Sequence, residues 1–394
     1  MRAIKVAVLF DSHLPTHGGS YSLIASIVEG FSEAKIHDQF EIELVSVGKI
    51  KHDFSTLHFS PSKRPSKFLK KFLTSMSMSA RNYWQKKSKL ARFLNNNDID
   101  LVFFLGVPVE ITNIPFVMTV WDLQHRTHPW FPEIGNEKAW QGREDYYKRN
   151  LPRALAIITG TERGKAEIAQ FYGVDESNIF LVPHVVSEIS VGAVESQKFL
   201  KSGPYIYPAQ FWAHKNHHLI VQAVKILRDD FGKEIKVNFI GSDKGNQRYI
   251  KNLILSNGLN NQIEILGFVS NETKFKLLSE SKGLIYPSFS GPENLPPLEA
   301  FEVGIPVIYS DFPGAREQLG ALPFYFDPNS PLSLVHAIEE VESLNPDELV
   351  KRILDQKLFV NSRRPVDYSY AFAKIIEKVG PMLSAWDVRD FKKY

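Results

Sequence analysis

The sequence predicts an α/β protein made of two Rossmann-like, doubly wound domains facing each other across a cleft. Three observations carry this reading. Short β-rich runs alternate with helical stretches along the chain, the pattern of parallel sheets covered by helices. The alternation breaks once, at 187–202, a polar stretch without firm periodicity that reads as a linker. The 394 residues also exceed the ~100–200 of one ordinary domain, so two cores are expected.

In the first domain, residues 1–190, strands are expected at Ile4–Phe10, Ile42–Val47, Leu101–Leu105, Phe116–Val120, Ala156–Thr161 and Ile179–Val182. A helix Ser20–Phe31 follows the first strand and puts Leu23, Ile24, Ile27 and Val28 on one face. In the second domain, residues 203–367, strands are expected at Tyr205–Pro208, Val237–Ile240, Ile263–Leu266, Gly283–Tyr286, Val307–Tyr309 and Phe324–Phe326. Its helices read as His217–Asp229, Gln247–Ser256, Asn271–Glu280, Pro296–Glu302 and Leu332–Leu344. The tail, 368–394, reads as aromatic-rich helices that cross back to the first domain.

Composition narrows the chemistry. The chain has no cysteine, which excludes disulfides, thiolate metal sites and cysteine nucleophiles. The N-terminal run Met1–Phe10 lacks a long apolar core and a small-residue cleavage site, so no signal peptide is read there. No apolar stretch approaches the ~20 residues needed to span a bilayer. Net charge is only +3, but Phe54–Asn97 contains no acidic residue. Lys63, Arg64, Lys67, Lys70, Lys71 and Arg81 fall there, interleaved with Phe68, Leu69, Phe72 and Leu73. Three readings fit: a patch that meets an anionic membrane beside its acceptor, a solvated helix pair, or a loop that binds a soluble acidic acceptor. Nucleic acid is not expected, because the patch is local and the total charge near balance.

Four loops fall at expected strand C-terminal ends, where doubly wound sheets present their ligands. In Tyr286–Ala300 a Gly/Pro/Ser loop runs into a helix at Pro296-Pro297. Proline suits a first helical turn, whose N–H groups lack internal partners. The N–H groups of Asn294 and Leu295 are expected to face the cleft and, with the helix dipole, to receive a diphosphate. Glu299, one turn in, can accept two hydrogen bonds from a ribose diol. A plain loop with a dipole-favoured acid fits equally well. In Tyr207–His218, Lys215 can reach the cleft as a point charge for phosphate. The neighbouring His214, His217 and His218 read as caps and surface residues rather than metal ligands. Pro15–Tyr21 carries Gly18 and Gly19, which allow close backbone approach by a ligand or merely a tight turn. Thr119–Pro129 places Asp122, His125 and His128 beyond a strand end.

Taken together, these residues resemble family 4 of the retaining glycosyltransferases, which share the GT-B fold. The motifs are Phe239-Ile-Gly-Ser242, Ile265-Leu-Gly-Phe-Val269, Gly291-Pro-Glu-Asn-Leu-Pro-Pro-Leu-Glu299 and Val303-Gly-Ile-Pro-Val-Ile-Tyr-Ser310, in the family's order and spacing. The resemblance implies that Glu299 binds the nucleotide ribose and that Asn294 and Leu295 supply backbone donors. It also implies that Lys215 binds phosphate, that the Gly18-Gly19 loop lies beside it, and that Phe268 packs on the base. Three positions depart from the pattern. The first acid of the paired-glutamate motif falls at Gly291, the phosphate-binding arginine falls near Gln210, and the usual His-Asp pair reads Trp121-Asp122. His125 is expected to supply the missing imidazole, with Asp122 beside it as the second catalytic candidate. Bacterial polysaccharide and O-antigen glycosyltransferases look similar to these variants.

The resemblance implies transfer of a hexose, mannose or a deoxyhexose among the candidates, from a nucleotide-diphosphate sugar to a glycan or polyprenyl-linked glycan. The nucleotide sugar is a co-substrate; no metal or other cofactor is expected. The expected location is the cytoplasm, or the inner face of the membrane as a peripheral protein. Two alternatives share the fold: a non-catalytic partner subunit and a sugar-nucleotide epimerase, the latter disfavoured by the lost acid at Gly291.

Overall fold

The computed structural model describes residues 3–11, 19–36, 40–48, 55–60, 89–109, 113–189, 203–383 and 385. Gly18, the basic cluster Lys63, Arg64, Lys67, Lys70, Lys71 and Arg81, most of the expected linker and the last nine residues lie outside them.

Two parallel sheets result. The first holds β1 (Ile4–Asp11), β2 (Phe40–Val47), β3 (Leu57–Phe59), β4 (Leu101–Leu105), β5 (Phe116–Thr119), β6 (Ala156–Thr159) and β7 (Ile179–Leu181), in the order β3-β2-β1-β4-β5-β6-β7. The second holds β8 (Tyr205–Pro208), β9 (Val237–Ile240), β10 (Ile263–Gly267), β11 (Gly283–Tyr286), β12 (Val307–Ser310) and β13 (Phe324–Phe326), in the order β10-β9-β8-β11-β12-β13. Each sheet reverses its winding between its first and fourth strands. These strands are continuous apolar runs because helices cover both faces: all five residues of β4 and all four of β11 are buried.

The edge strand β3 was not expected. It is three residues long with a histidine at its centre, too short for a hydrophobic period to register. The helix Pro346–Asn361 was also missed, although its start is marked by Asn345, whose side chain caps the Asp347 N–H at 2.9 Å.

The last described helix, Pro365–Leu383, begins three residues earlier than expected and packs on the helix Gly19–Glu33 of the first domain. Its Phe372 ring lies 4.7 Å from Phe103 on β4 and 5.3 Å from Phe31. Gly30 allows the approach, since a Cβ there would lie 2.1 Å from the Pro365 carbonyl oxygen. The apolar core is therefore continuous from the first sheet into the second domain.

Candidate functional site

The C-terminal ends of both sheets open into one cavity of about 490 Å³. The first domain contributes Ser22 and Leu23 from the helix after β1, Trp121 and Asp122 from the loop after β5, and His184 from the loop after β7. The second domain contributes Gln210 and Lys215 after β8, Phe268 after β10, and Asn294, Leu295 and Glu299 after β11. The winding of each sheet reverses beside this cavity, the position where doubly wound sheets bind ligands.

Lys215 closes a short 3-10 turn, Ala213–Lys215. The turn ends because Asn216 adopts a left-handed conformation at φ 56°, from which its side-chain amide donates to the carbonyls of Pro287 and Pro328 at 3.1 and 3.0 Å. This fastens the turn to the loop after β11. The Lys215 ammonium donates to Tyr286 Oη at 3.2 Å and Asn294 Oδ1 at 3.1 Å. No carboxylate lies within ion-pair distance of it among the described residues. Burial lowers its pKa to about 8, with Asp122 and Glu133 opposing at longer range. The side wall of the cavity thus holds a partly buried cation with no counter-ion among the described residues.

The loop after β11 corrects one expectation. The Asn294 N–H is not free: it donates to Gln318 Oε1 at 3.0 Å, and Gln318 returns a bond to the Asn294 carbonyl at 2.8 Å. The Asn294 side chain donates to Tyr309 Oη at 2.8 Å and accepts from Lys215. Asn294 therefore positions the lysine, and the Leu295 N–H is the amide left without a partner among the described residues. Glu299 is buried and accepts from Lys274 Nζ at 2.7 Å. Gly291 is more than a lost acid. It sits at φ +137°, and a Cβ there would meet the Asn294 side chain at 2.8 Å, so the loop demands glycine. Gln210 lines the cavity and accepts from Trp212 Nε1 at 3.0 Å.

On the first-domain wall, Asp122 is half-buried and receives Arg143 Nη2 at 2.6 Å and the Gln124 N–H at 2.9 Å. Burial favours its protonated form, but these donors outweigh it and hold the carboxyl below its usual range. His125 does not reach the cavity. Its ring is fully buried, with Nε2 3.0 Å from Tyr172 Oη and 3.4 Å from Glu144 Oε2, and it stacks on Tyr147 at 5.6 Å. The short helix Gln124–Thr127 turns it inward, so the expectation that it touches substrate is corrected. On this wall the imidazole that lines the cavity is His184, whose ring meets Trp121 edge-on at 5.5 Å; His214 lines it from the second domain. Its Nδ1 has no partner among the described residues, and burial lowers its pKa, Glu293 opposing and Arg363 reinforcing. No motif marked His184; only its place beyond a strand end could have done so.

Of the second-domain histidines expected at the surface, His218 is there, half-buried against the Tyr249 hydroxyl at 2.8 Å, but His214 and His217 are buried. His214 pairs through Nδ1 with Glu133 Oε1 at 2.6 Å, a partner 81 residues away that local spacing could not reveal. His217 is buried against Phe211 at 4.3 Å, and burial lowers its pKa to about 3. Gly19 opens the helix whose Ser22 and Leu23 line the cavity; Phe268 stands on the rim, half exposed.

Three carboxylates bridge the domains around the cavity. Glu133 holds His214. Glu293 accepts the His184 N–H at 2.8 Å and fills the space left by Gly160. Glu317 accepts from the N–H groups of Glu162 and Arg163.

Residues 194–356 match the family model described as Glycosyl transferases group 1. A curated relative, the O-antigen chain mannosyltransferase RfbU of Salmonella typhimurium, is 29% identical over 203 residues, 51% of this chain and 55% of the relative. The match thus spans about half the length of that relative. Among solved structures, a glycosyltransferase from Rickettsia africae superposes with TM-score 0.68 at 17% identity, over 97% of this chain and 99% of that one. HepE of Anabaena, solved with UDP and glucose, superposes with TM-score 0.67 at 15% identity, over 96% of this chain and 100% of that one. The fold is GT-B, and the second domain carries a Glycosyl transferases group 1 domain.

Proposed function

We propose that this chain, with its Glycosyl transferases group 1 domain, is a retaining glycosyltransferase of cell-surface polysaccharide synthesis. It moves a hexose from a nucleotide-diphosphate sugar to a glycan or lipid-linked glycan. The observation that carries the reading is the partly buried Lys215 ammonium, which faces the interdomain cavity with no carboxylate partner among the described residues. Burying a cation unpaired is costly, and an anionic ligand is what offsets that cost. The Leu295 amide and the helix Leu295–Val303 direct further positive potential to the same place. The similarity to an O-antigen mannosyltransferase supports the substrate class, with mannose as the first donor sugar to test.

In this reading the donor diphosphate lies against Lys215 and Leu295, the ribose against Glu299, and the base beside Phe268. As the anomeric carbon–oxygen bond breaks, its electron pair goes to the departing phosphate, where Lys215 stabilises the charge. The acceptor hydroxyl oxygen bonds to the same face of that carbon, and its proton passes to the leaving phosphate. No protein nucleophile enters. The three bridging carboxylates hold the domains together and keep water out, favouring transfer over hydrolysis. The basic cluster Lys63–Arg81 supports placement beside an anionic membrane on its inner face, each cation contributing about 1 kcal/mol.

The test is a thermal-shift screen against UDP-, GDP- and dTDP-sugars with the wild type and Lys215→Ala. A ligand at a hundred times its dissociation constant stabilises by about 2.7 kcal/mol. The reading expects one nucleotide class to stabilise the wild type and not the variant. Equal stabilisation of both proteins would overturn it.

A further inference from the structure

We infer that the exposed indole of Trp130 is a stacking platform for a pyranose ring of the acceptor glycan, at the first-domain mouth of the cavity. This rests on the transferase reading and adds a subsite to it.

Trp130 is the most exposed of the large apolar side chains described, at 69%. A single exposed apolar residue is ordinarily unremarkable. This one differs in place and in rigidity. The segment that carries it starts on the cavity wall, at Trp121, Asp122 and Gln124, and meets the second domain farther along, at Phe131 and Glu133. Beside Trp130, the Phe131 ring lies 5.6 Å from Phe289 and 6.1 Å from His214 of the second domain. Phe131 fills the seam and Trp130 faces water next to it.

The segment is also held tightly. The His128 N–H donates to the Gln124 carbonyl at 2.7 Å, and the Gly135 N–H to the Phe131 carbonyl at 2.7 Å. A Cβ on Gly135 would fall 1.6 Å from the Pro129 carbonyl oxygen, so the turn closes only with glycine there. Glu133 clamps the far end to the backbone and ring of His214. The His128 ring lies 5.3 Å from the indole and braces it. A flat, rigid, electron-rich face presented to water loses little conformational entropy on binding. The C–H face of a pyranose can cover it while the sugar hydroxyls stay solvated.

Charge selects among occupants. The charges around Trp130 are mixed: Glu133 is taken up by His214, Glu137 is followed by Lys138, and Arg163 acts on the His128 ring. With no cationic cluster on this segment, the face suits an uncharged glycan better than an anionic membrane. The donor's base has its own ring, Phe268, in the other domain.

The experiment uses the full chain with isotope-labelled indoles, assigned through Trp130→Ala. The probes are methyl pyranosides of mannose, glucose, galactose and rhamnose and their disaccharides, added with UDP or GDP present. One series is expected to shift the Trp130 indole resonance. Trp130→Ala should weaken that sugar about tenfold or more, a loss of about 1.4 kcal/mol, while Trp130→Tyr keeps most of the affinity. Nucleotide affinity should stay within about twofold in both. An unmoved Trp130 resonance, or equal sugar affinity in Trp130→Ala, would overturn the proposal. So would loss of binding to phosphatidylglycerol vesicles in Trp130→Ala with sugar binding intact. Failure of nucleotides to bind the wild type would instead count against the transferase reading itself.

Discussion

The Lys215 ammonium lies 3.1 Å from the Asn294 side-chain oxygen and has no carboxylate partner among the described residues. Two loops meet in this contact. The turn after β8 brings the cation, and the loop after β11 holds its acceptor through Tyr309 and Gln318. The protein thus maintains a charge that its own stability would favour neutralising.

This gives opposite expectations for stability and binding. The Lys215 pKa is lowered from 10.5 to about 8, so between those values the unfolded chain binds more protons than the folded one. The lysine's contribution to unliganded stability therefore rises as pH climbs from about 8 toward 10.5. Nucleotide affinity should fall over the same window as the charge is lost. Lys215→Met is expected to leave the unliganded melting temperature unchanged or higher, and to weaken nucleotide binding at least tenfold at pH 7, about 1.4 kcal/mol or more. Melting curves and calorimetric titration from pH 7 to 10 read both. A variant that melts lower and binds normally would contradict the account.

Acid should destabilise the fold through buried histidines. Burial lowers His125 to about 4 and His217 to about 3. Both fall below the ordinary 6.5, so the unfolded state binds more protons and stability is lost as pH drops from about 6.5 toward 4. Each pKa unit corresponds to about 1.4 kcal/mol, so His125 and His217 together contribute several kcal/mol. Urea unfolding between pH 7 and 4 should show a falling midpoint. His217→Phe, which keeps the stack on Phe211, should flatten the slope.

The contact of Glu293 with Gly160 predicts a coupled pair. An alanine Cβ at 160 would fall 1.4 Å from Glu293 Oε2, so Gly160→Ala must push the carboxylate out or the domains apart. Transfer by that variant should drop at least tenfold with secondary structure intact. Adding Glu293→Ala removes the clash and should recover part of the loss, although the His184 N–H then lacks its acceptor. Additive losses in the double variant, measured as kcat/KM, would show that the two residues are not coupled.

Most strands were legible because apolar runs bounded by turn residues are local signals. The helices His217–Asp229, Gln247–Ser256 and Asn271–Glu280 begin and end where their patterns do. The site was legible in part. Lys215, Leu295 and Glu299 line the cavity because spacing along a strand–loop–helix unit fixes direction. The rest depends on tertiary partners. His214 looked like a surface residue because Glu133 lies in the other domain. Asn294 looked like a free amide because Gln318 comes from a later helix. His125 looked catalytic because nothing in the sequence shows that a four-residue helix turns its ring inward.

The two histidines of the first domain should separate accordingly. Both rings leave Nδ1 without a partner among the described residues, but His184 lines the cavity, whereas His125 is closed off among Tyr172, Glu144 and Tyr147. His184→Ala is expected to lower kcat at least tenfold with little change in melting temperature, because the backbone N–H that holds Glu293 survives the substitution. Burial keeps the His184 pKa below 6.5, so its ring is neutral at pH 7 and the wild-type rate should fall as acid charges it. That acid limb should disappear from the residual activity of His184→Ala. His125→Gln should do the reverse, lowering the melting temperature by several degrees while the folded fraction turns over at the wild-type rate. Matched kcat–pH profiles and thermal melts on the two variants decide it. A catalytic loss confined to His125→Gln would return the role to the residue that the sequence first nominated.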